Sequence, residues 1–183
     1  MPIKNKRKKA IFLDRDGILN KVIIRKGKPS SPWNLKDFKL LSHIEKYLKT
    51  LKETGFLNIV FTNQPDIKRG YLKIGDLEKM HQIIAEKLPI DEITFCPHDD
   101  KDNCSCRKPK SGLIFEAAKK WSIDLKNSFV IGDNWKDVLA GKKAGCKTIL
   151  IRRSYNKNLK DSYDFEAKNL KDAVKIIKKV EEA

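Results

Sequence analysis

The sequence predicts an α/β fold, a doubly wound parallel sheet of about five strands with helices on its faces. Three observations predict it. Short runs of apolar residues without polar alternation recur at 9–13, 56–61, 92–95, 128–133 and 147–151, the signature of strands covered on both sides. Segments with apolar residues at helical spacing alternate with these runs. Polar or acidic side chains stand at the carboxyl ends of the runs, where an open α/β sheet binds its ligands.

The first strand runs into Asp14-Arg15-Asp16-Gly17. Side chains alternate along a strand, so Asp14 and Asp16 project to the same side while the chain turns away at Gly17. Such a pair can divide labour. Asp14, kept ionised, can act as a nucleophile, and its charge helps keep Asp16 protonated as a general acid. A surface turn with two solvated acids would read the same, so residues farther along must decide.

The polar, proline-bearing segment 21–33 reads as an irregular loop beside this pair, facing substrate. Ser42 then caps a helix through Ile44, Tyr47, Leu48 and Leu51 that stops at Gly55. The second strand ends in Thr62-Asn63-Gln64, whose hydroxyl and amides can donate to phosphate oxygens, although the same residues also make ordinary turns. Asp76 begins a helix through Leu77, Met80, Ile84 and Leu88, with His81 on its surface or flank.

The third strand leads into Cys96-Pro97-His98 and then Cys104-Ser105-Cys106. Three sulfurs and one imidazole within one loop, residues 96–106, form a complete tetrahedral set for a structural zinc ion: Cys96, His98, Cys104 and Cys106. Arg107 and Lys108 follow directly, and a clamped loop would fix both cations where they can neutralise a phosphoryl group. Ser111 caps the next helix, through Leu113, Ile114, Ala117 and Trp121. The fourth strand ends at Gly132-Asp133, and Asp133 with Asp14 and the backbone carbonyl of Asp16 makes an oxygen site suited to Mg²⁺. Asn134 can reach substrate, Asp137 braces the site, and Trp135 is read as packing. After the fifth strand, with Cys146 before it as a buried apolar side chain, a polar stretch at 152–168 precedes a helix around Leu170, Val174, Ile177 and Val180.

The chain has 183 residues and a net charge of +16, with 40 Lys and Arg against 24 Asp and Glu. That length suits one domain spanning 1–183. The positive charge attracts polyanions and small phosphorylated molecules alike, but the lysines are scattered over helical segments. Residues 4–9 form the one basic cluster, read as a frayed end. No run approaches the roughly 18 apolar residues of a membrane span, and no secretory leader is recognised, so a cytoplasmic monomer without membrane or obligate nucleic-acid partners is expected.

Asp14-Arg15-Asp16-Gly17, Thr62-Asn63-Gln64, Lys108 and Gly132-Asp133, taken in order, resemble the four motifs of the haloacid dehalogenase superfamily of phosphatases. The cysteine–histidine insertion running into Arg107-Lys108-Pro109 is similar to the subgroup of heptose bisphosphate and histidinol-phosphate phosphatases. The resemblance implies a Rossmann-like sheet ordered fifth, fourth, first, second, third, no large cap domain, catalytic Mg²⁺ and structural zinc. It implies that Asp14 takes the phosphoryl group, that Asp16 serves as acid and then base, and that Thr62 and Lys108 hold phosphoryl oxygens. Asn63, Gln64, Arg107 and Asn134 would face substrate. The expected substrate is a small phosphorylated sugar, a heptose 1,7-bisphosphate losing its C7 phosphate for nucleotide-activated heptose synthesis. The other expectations weighed are histidinol phosphate, a polynucleotide 3′-phosphate, and a zinc-stabilised nucleic-acid-binding module without catalysis.

Overall fold

The computed structural model describes residues 7–159 and 163–182. Its elements run β1 (Lys9–Leu13), β2 (Ile23–Arg25), β3 (Lys28–Ser30), α1 (Ile44–Glu53), β4 (Phe56–Asn63), α2 (Ile74–Lys87), β5 (Glu92–Cys96), α3 (Gly112–Trp121), β6 (Phe129–Gly132), α4 (Trp135–Ala144), β7 (Lys147–Ile151), β8 (Phe165–Ala167) and α5 (Leu170–Glu181). Six strands form one sheet in the order β5-β4-β1-β6-β7-β8, and every neighbouring pair is parallel. The chain leaves β1 toward β4 on one side and returns to β6 on the other. The crevice that opens at such a reversal lies at the carboxyl ends of these three strands.

Side-chain alternation builds the two cores. Ile11 and Leu13 of β1 join Leu48, Leu77, Ile84 and Ile177 from α1, α2 and α5, whereas Ala10 and Phe12 join Ile114, Ala117 and Ala140 from α3 and α4. Asp14 continues the even-numbered register toward α3 and α4. Strands covered on both faces need apolar residues at every position, which is why their sequence shows no alternation.

The structure corrects several expectations. The sheet has six strands, not five. The sixth, β8, lies within the stretch read as polar: Phe165-Glu166-Ala167 is a three-residue edge strand whose middle residue faces solvent, so it carries neither an apolar run nor a periodicity. The segment 21–33, read as irregular, contains the β2–β3 hairpin, turned by Lys26 and Gly27 at positive φ. His43, in the left-handed region, occupies the position before α1 that Ser42 was expected to fill. The α2 helix begins at Ile74, ahead of Asp76. Ser111 does precede α3, but its Oγ donates to the carbonyl of Ala140 at 2.7 Å and so ties α3 to α4. Of the basic cluster, residues 4–6 lie outside the described residues. Lys8 is anchored, its N–H donating to Ser122 O and its ammonium lying over the Trp121 ring. No helix among the described residues is long and apolar enough to cross a membrane.

Phe12 is fully buried and meets Phe61 edge to face at 6.2 Å between ring centroids, directly beneath the crevice. Phe12→Ala is expected to lower unfolding free energy by about 3–5 kcal/mol in urea titrations. A loss below about 1 kcal/mol would contradict the two-sided packing of β1.

Candidate active site

The ends of β1 and β6, the first turn of α4 and the segment after the 96–106 loop bring four charged groups, Asp14, Asp133, Asp137 and Lys108, to one buried spot. Lys108 Nζ lies 2.8 Å from Asp14 Oδ1 and 2.6 Å from Asp137 Oδ1, with all three side chains nearly inaccessible to water. It also donates to Phe61 O at 3.0 Å. Asp133 completes the group: Asp14, Asp133 and Asp137 each offer a carboxylate oxygen within 4.8 Å of the others. Three buried carboxylates against one ammonium leave a charge imbalance that shows in the acidities of Asp14 and Asp133. Burial, with Asp137 and Asp16 adding to it against the opposing Lys108, pushes Asp14 up to about 7. Burial and the charges of Asp14 and Asp137 push Asp133 up to about 8. Burial works to discharge Lys108, but Asp137 and Asp14 outweigh it and hold the ammonium above its ordinary range.

Backbone approaches at two glycines make this geometry possible. A Cβ on Gly17, which has φ +87°, would collide with Asp133 Oδ2, and one on Gly132 would collide with Asp137 Oδ2. Neither position has room for a side chain. Asp137 also accepts from the Asn134 N–H at 3.0 Å, so α4 begins in a reciprocal capping pair that fixes the carboxylate. Asp137, expected only to brace, thus belongs to the acidic cluster itself.

Asp16 lines the same cavity in the opposite electrostatic setting. The buried guanidinium of Arg15 reaches both of its oxygens, at 2.9 and 3.0 Å, and Asn20, Ser31 and Gln64 donate at 2.8, 2.9 and 2.8 Å. Burial raises its pKa, but Arg15 and the donated hydrogen bonds more than reverse this, so the carboxyl lies below its usual range. The sequence suggested that a neighbouring charge would keep Asp16 protonated; its donors instead hold it ionised. Its carboxylate is not in the Asp14–Asp133–Asp137 group. His81 packs on Phe95 and lies 3.5 Å from Arg15; burial, then the Arg15 charge, push its pKa down to about 4.

Thr62, Asn63, Arg107 and Asn134 line the cavity as well, but most already have partners. Thr62 Oγ1 accepts from Gln64 Nε2. Asn63 brackets the Lys108 backbone, donating to its carbonyl at 3.1 Å and accepting from its N–H at 3.0 Å, and so holds the lysine's loop in place. Gln64 is fully buried between Thr62 and Asp16 and is out of reach of a ligand. Arg107 is bound to Asp100 at 2.8 Å and to His98 O at 3.1 Å. Asn134 is exposed, its Oδ1 accepting from Lys136 N.

Cys96, His98, Cys104 and Cys106 converge at one point. Their contacts measure 3.6 Å for Cys96–His98 and Cys96–Cys104, 3.2 Å for Cys96–Cys106, and 3.4 Å for Cys106 with His98 and with Cys104. A tetrahedral zinc with Zn–S near 2.3 Å requires edges of about 3.7 Å, so this donor set fits the ion expected. The acidic cluster, hard oxygens from Asp14 and Asp133 around a charge deficit, fits a small divalent cation.

The cavity of about 410 Å³ reveals residues the sequence reading passed over. Tyr155, just after β7, donates its phenol hydrogen bond to Asp133 Oδ2; burial and the Asp133 charge hold that phenol above its ordinary range, so it stays a donor. Trp135, read as packing, is 41 % exposed at the cavity edge. Trp33, Asp66, Arg69 and Tyr71 form the opposite rim. Of these, Trp33 ends the segment 21–33 that the sequence reading placed facing substrate.

Comparison with known proteins places this arrangement among relatives. The HAD-hydrolase-like family model matches residues 105–174. The chain is 40% identical over 177 residues to the D-glycero-beta-D-manno-heptose-1,7-bisphosphate 7-phosphatase of Helicobacter pylori, covering 93% of this chain and 98% of that one. It is 34% identical over 176 residues to the D-glycero-alpha-D-manno-heptose-1,7-bisphosphate 7-phosphatase of Campylobacter jejuni, covering 93% and 96%. Among solved structures, the D,D-heptose 1,7-bisphosphate phosphatase of B. bronchiseptica, determined with magnesium and phosphate, superposes with TM-score 0.79 at 23% identity over 96% of this chain and 99% of that one.

The raised acidities give a signed expectation. Asp14 and Asp133 have folded pKa values of about 7 and about 8 against an ordinary 3.8, so the folded chain retains protons that the unfolded chain has released. Stability without magnesium therefore falls as pH rises through about 8. His81, neutral when folded, opposes this trend weakly just above pH 6.5, its ordinary value, and less at each higher pH as the unfolded imidazole loses its remaining proton. Thermal melts between about pH 6.5 and 8.5 should show Tm decreasing, at about 2–4 °C per kcal/mol lost, and added magnesium should flatten the slope. A Tm that rises over that interval would contradict the charge imbalance.

Proposed function

This chain belongs to the haloacid dehalogenase-like hydrolases, and we propose that within that family it removes the C7 phosphate of a D-glycero-D-manno-heptose 1,7-bisphosphate, in the cytoplasm and on the route to nucleotide-activated heptose. The observation that carries the reading is the cluster of Asp14, Asp133 and Asp137 around Lys108, in a chain 40% identical over nearly its full length to a phosphatase of that specificity. The same relatives favour it over histidinol phosphate, a polynucleotide 3′-phosphate or a zinc-bearing nucleic-acid module.

Asp14 attacks phosphorus through one carboxylate oxygen while the bond from phosphorus to the C7 oxygen breaks. The leaving alkoxide takes a proton from Asp16. Water then attacks the aspartyl phosphate, giving its proton to Asp16 and releasing inorganic phosphate, which restores Asp14. Arg15, Asn20, Ser31 and Gln64 hold Asp16 as an ionised base. Negative charge arriving with the phosphate works against those donors and moves Asp16 toward its acid form. Lys108 and Thr62 hold phosphoryl oxygens, and Lys108, paired with Asp137, remains charged throughout. Asp14 and Asp133 would hold magnesium, with the Asp16 carbonyl; when bound, it offsets the repulsion between a carboxylate nucleophile and an anionic phosphate. Cys96, His98, Cys104 and Cys106 would hold zinc and, with it bound, would clamp the loop that presents Arg107 and Lys108.

Phosphate release by the purified chain from heptose 1,7-bisphosphate, fructose 1,6-bisphosphate and histidinol phosphate tests the assignment. The heptose compound is expected to give the highest kcat/KM, and Asp14→Asn to reduce kcat by about 10⁴-fold or more. Clear preference for histidinol phosphate would overturn it.

A further inference from the structure

Two loops, 21–33 and 65–72, line one rim of the cavity, and a single side chain joins them and, through Arg69, ties in the 96–106 loop behind. Asp66 is 8 % exposed and uses both carboxylate oxygens. Oδ2 accepts from Trp33 Nε1 at 2.8 Å, across from the loop that follows the β2–β3 hairpin, and Oδ1 faces Arg69 Nη1 at 3.3 Å. Its backbone carbonyl accepts from Tyr71 N and Leu72 N at 2.9 and 3.0 Å, closing its own loop. From Arg69 the connection passes to the 96–106 loop, because Asp99 takes the guanidinium in a fork, at 2.7 Å on each arm. From Trp33 it passes to the hairpin. The indole is stacked between the Tyr71 ring, at 4.7 Å and 15° between planes, and the Arg25 guanidinium, 3.7 Å from the ring centroid. Arg25 in turn donates to Ser31 O at 2.6 Å.

Arg69 therefore meets an acid on every arm of its guanidinium, and Asp99 raises its pKa further. A guanidinium so fully occupied acts as a strut. Trp33, Asp66, Arg69 and Tyr71 all border the cavity that holds Asp14 and Asp16. None of them touches Asp14, Lys108 or Asp133 in a hydrogen bond or ion pair among the described residues.

We infer that Asp66 is a positioning residue that locks the 21–33 and 65–72 loops into one rigid rim, tied through Arg69 to the 96–106 loop behind, setting how a substrate that extends beyond the reacting phosphate is seated. The inference rests on the sugar bisphosphate reading above for the identity of that substrate, and on the geometry alone for the locking. A substrate spanning the cavity meets the rim; a short phosphate ester that only fills the site at Asp14 does not. A preformed rim avoids the ordering cost that free loops would add on binding.

The test compares wild type with Asp66→Ala and Asp66→Asn, using heptose 1,7-bisphosphate, p-nitrophenyl phosphate and amide hydrogen exchange. With Asp66→Ala, KM for the bisphosphate is expected to rise about tenfold with kcat nearly unchanged. Both constants should hold for p-nitrophenyl phosphate, and amides in residues 23–33 should exchange faster. Asp66→Asn, whose amide oxygen still accepts from Trp33, should recover most of the loss. Unchanged exchange in 23–33, or an equal fall in activity on both substrates, would overturn the inference. If Asp66→Ala does not fold, Trp33→Phe removes the same donor and decides by the same readings. If wild type ignores the heptose compound, the substrate assignment fails on its own, and the exchange measurement still decides whether Asp66 locks the rim.

Discussion

The structure depends on one buried ammonium. Lys108 lies between Asp14 and Asp137 with its side chain 4 % exposed, and a charge removed from water in this way persists only when paired and hydrogen-bonded. Both partners come from the ends of other elements, so pairing them fixes β1, the start of α4 and the segment after the 96–106 loop against one another. Asn63 secures the lysine's backbone from β4, and the cysteine–histidine cluster lies two residues upstream of it. The scaffold around this ion pair is otherwise an ordinary parallel sheet, with the β1 side chains divided between two helical layers.

Two aspartates one residue apart are driven in opposite directions by what surrounds them. Asp14 shares its space with Asp133 and Asp137, and burial with like charge raises it; Asp16 faces Arg15 and three further donors, which lower it. Separated acidities of this kind are how one site can contain both a nucleophile and a proton carrier. The raised pair also implies that the acidic cluster is left short of positive charge by the protein alone. The same imbalance makes Tyr155 intelligible: its phenol, with its proton held firmly, gives Asp133 a neutral hydrogen-bond donor.

Much of this was legible in the amino-acid sequence. Apolar runs without alternation gave the five long strands, because a strand covered on both faces has no polar side. Asp14, Thr62, Lys108 and Asp133 were visible as polar residues terminating such runs or following a metal-like loop, and Cys96, His98, Cys104 and Cys106 by their spacing. What stayed hidden depended on tertiary contact. Phe165-Glu166-Ala167 is too short and mixed to signal a strand until β7 supplies a partner. Tyr155 and Asp66 sit in polar connecting segments that resemble many others, and only folding sets one against Asp133 and the other against Trp33 and Arg69. Gln64 reads as a ligand donor in its motif but is enclosed, since Asp16 and Thr62 take its amide from behind the cavity wall.

The central claim is that Asp14 and Asp133 form a carboxylate pair whose charge a divalent cation completes. Calorimetric titration of magnesium into the purified chain, repeated near pH 7 in buffers of different ionisation enthalpy, counts the protons exchanged on binding. Saturable binding with release of about one proton or more per ion, diminishing toward pH 9, is the expected result. Binding without proton release, or no binding, would contradict it.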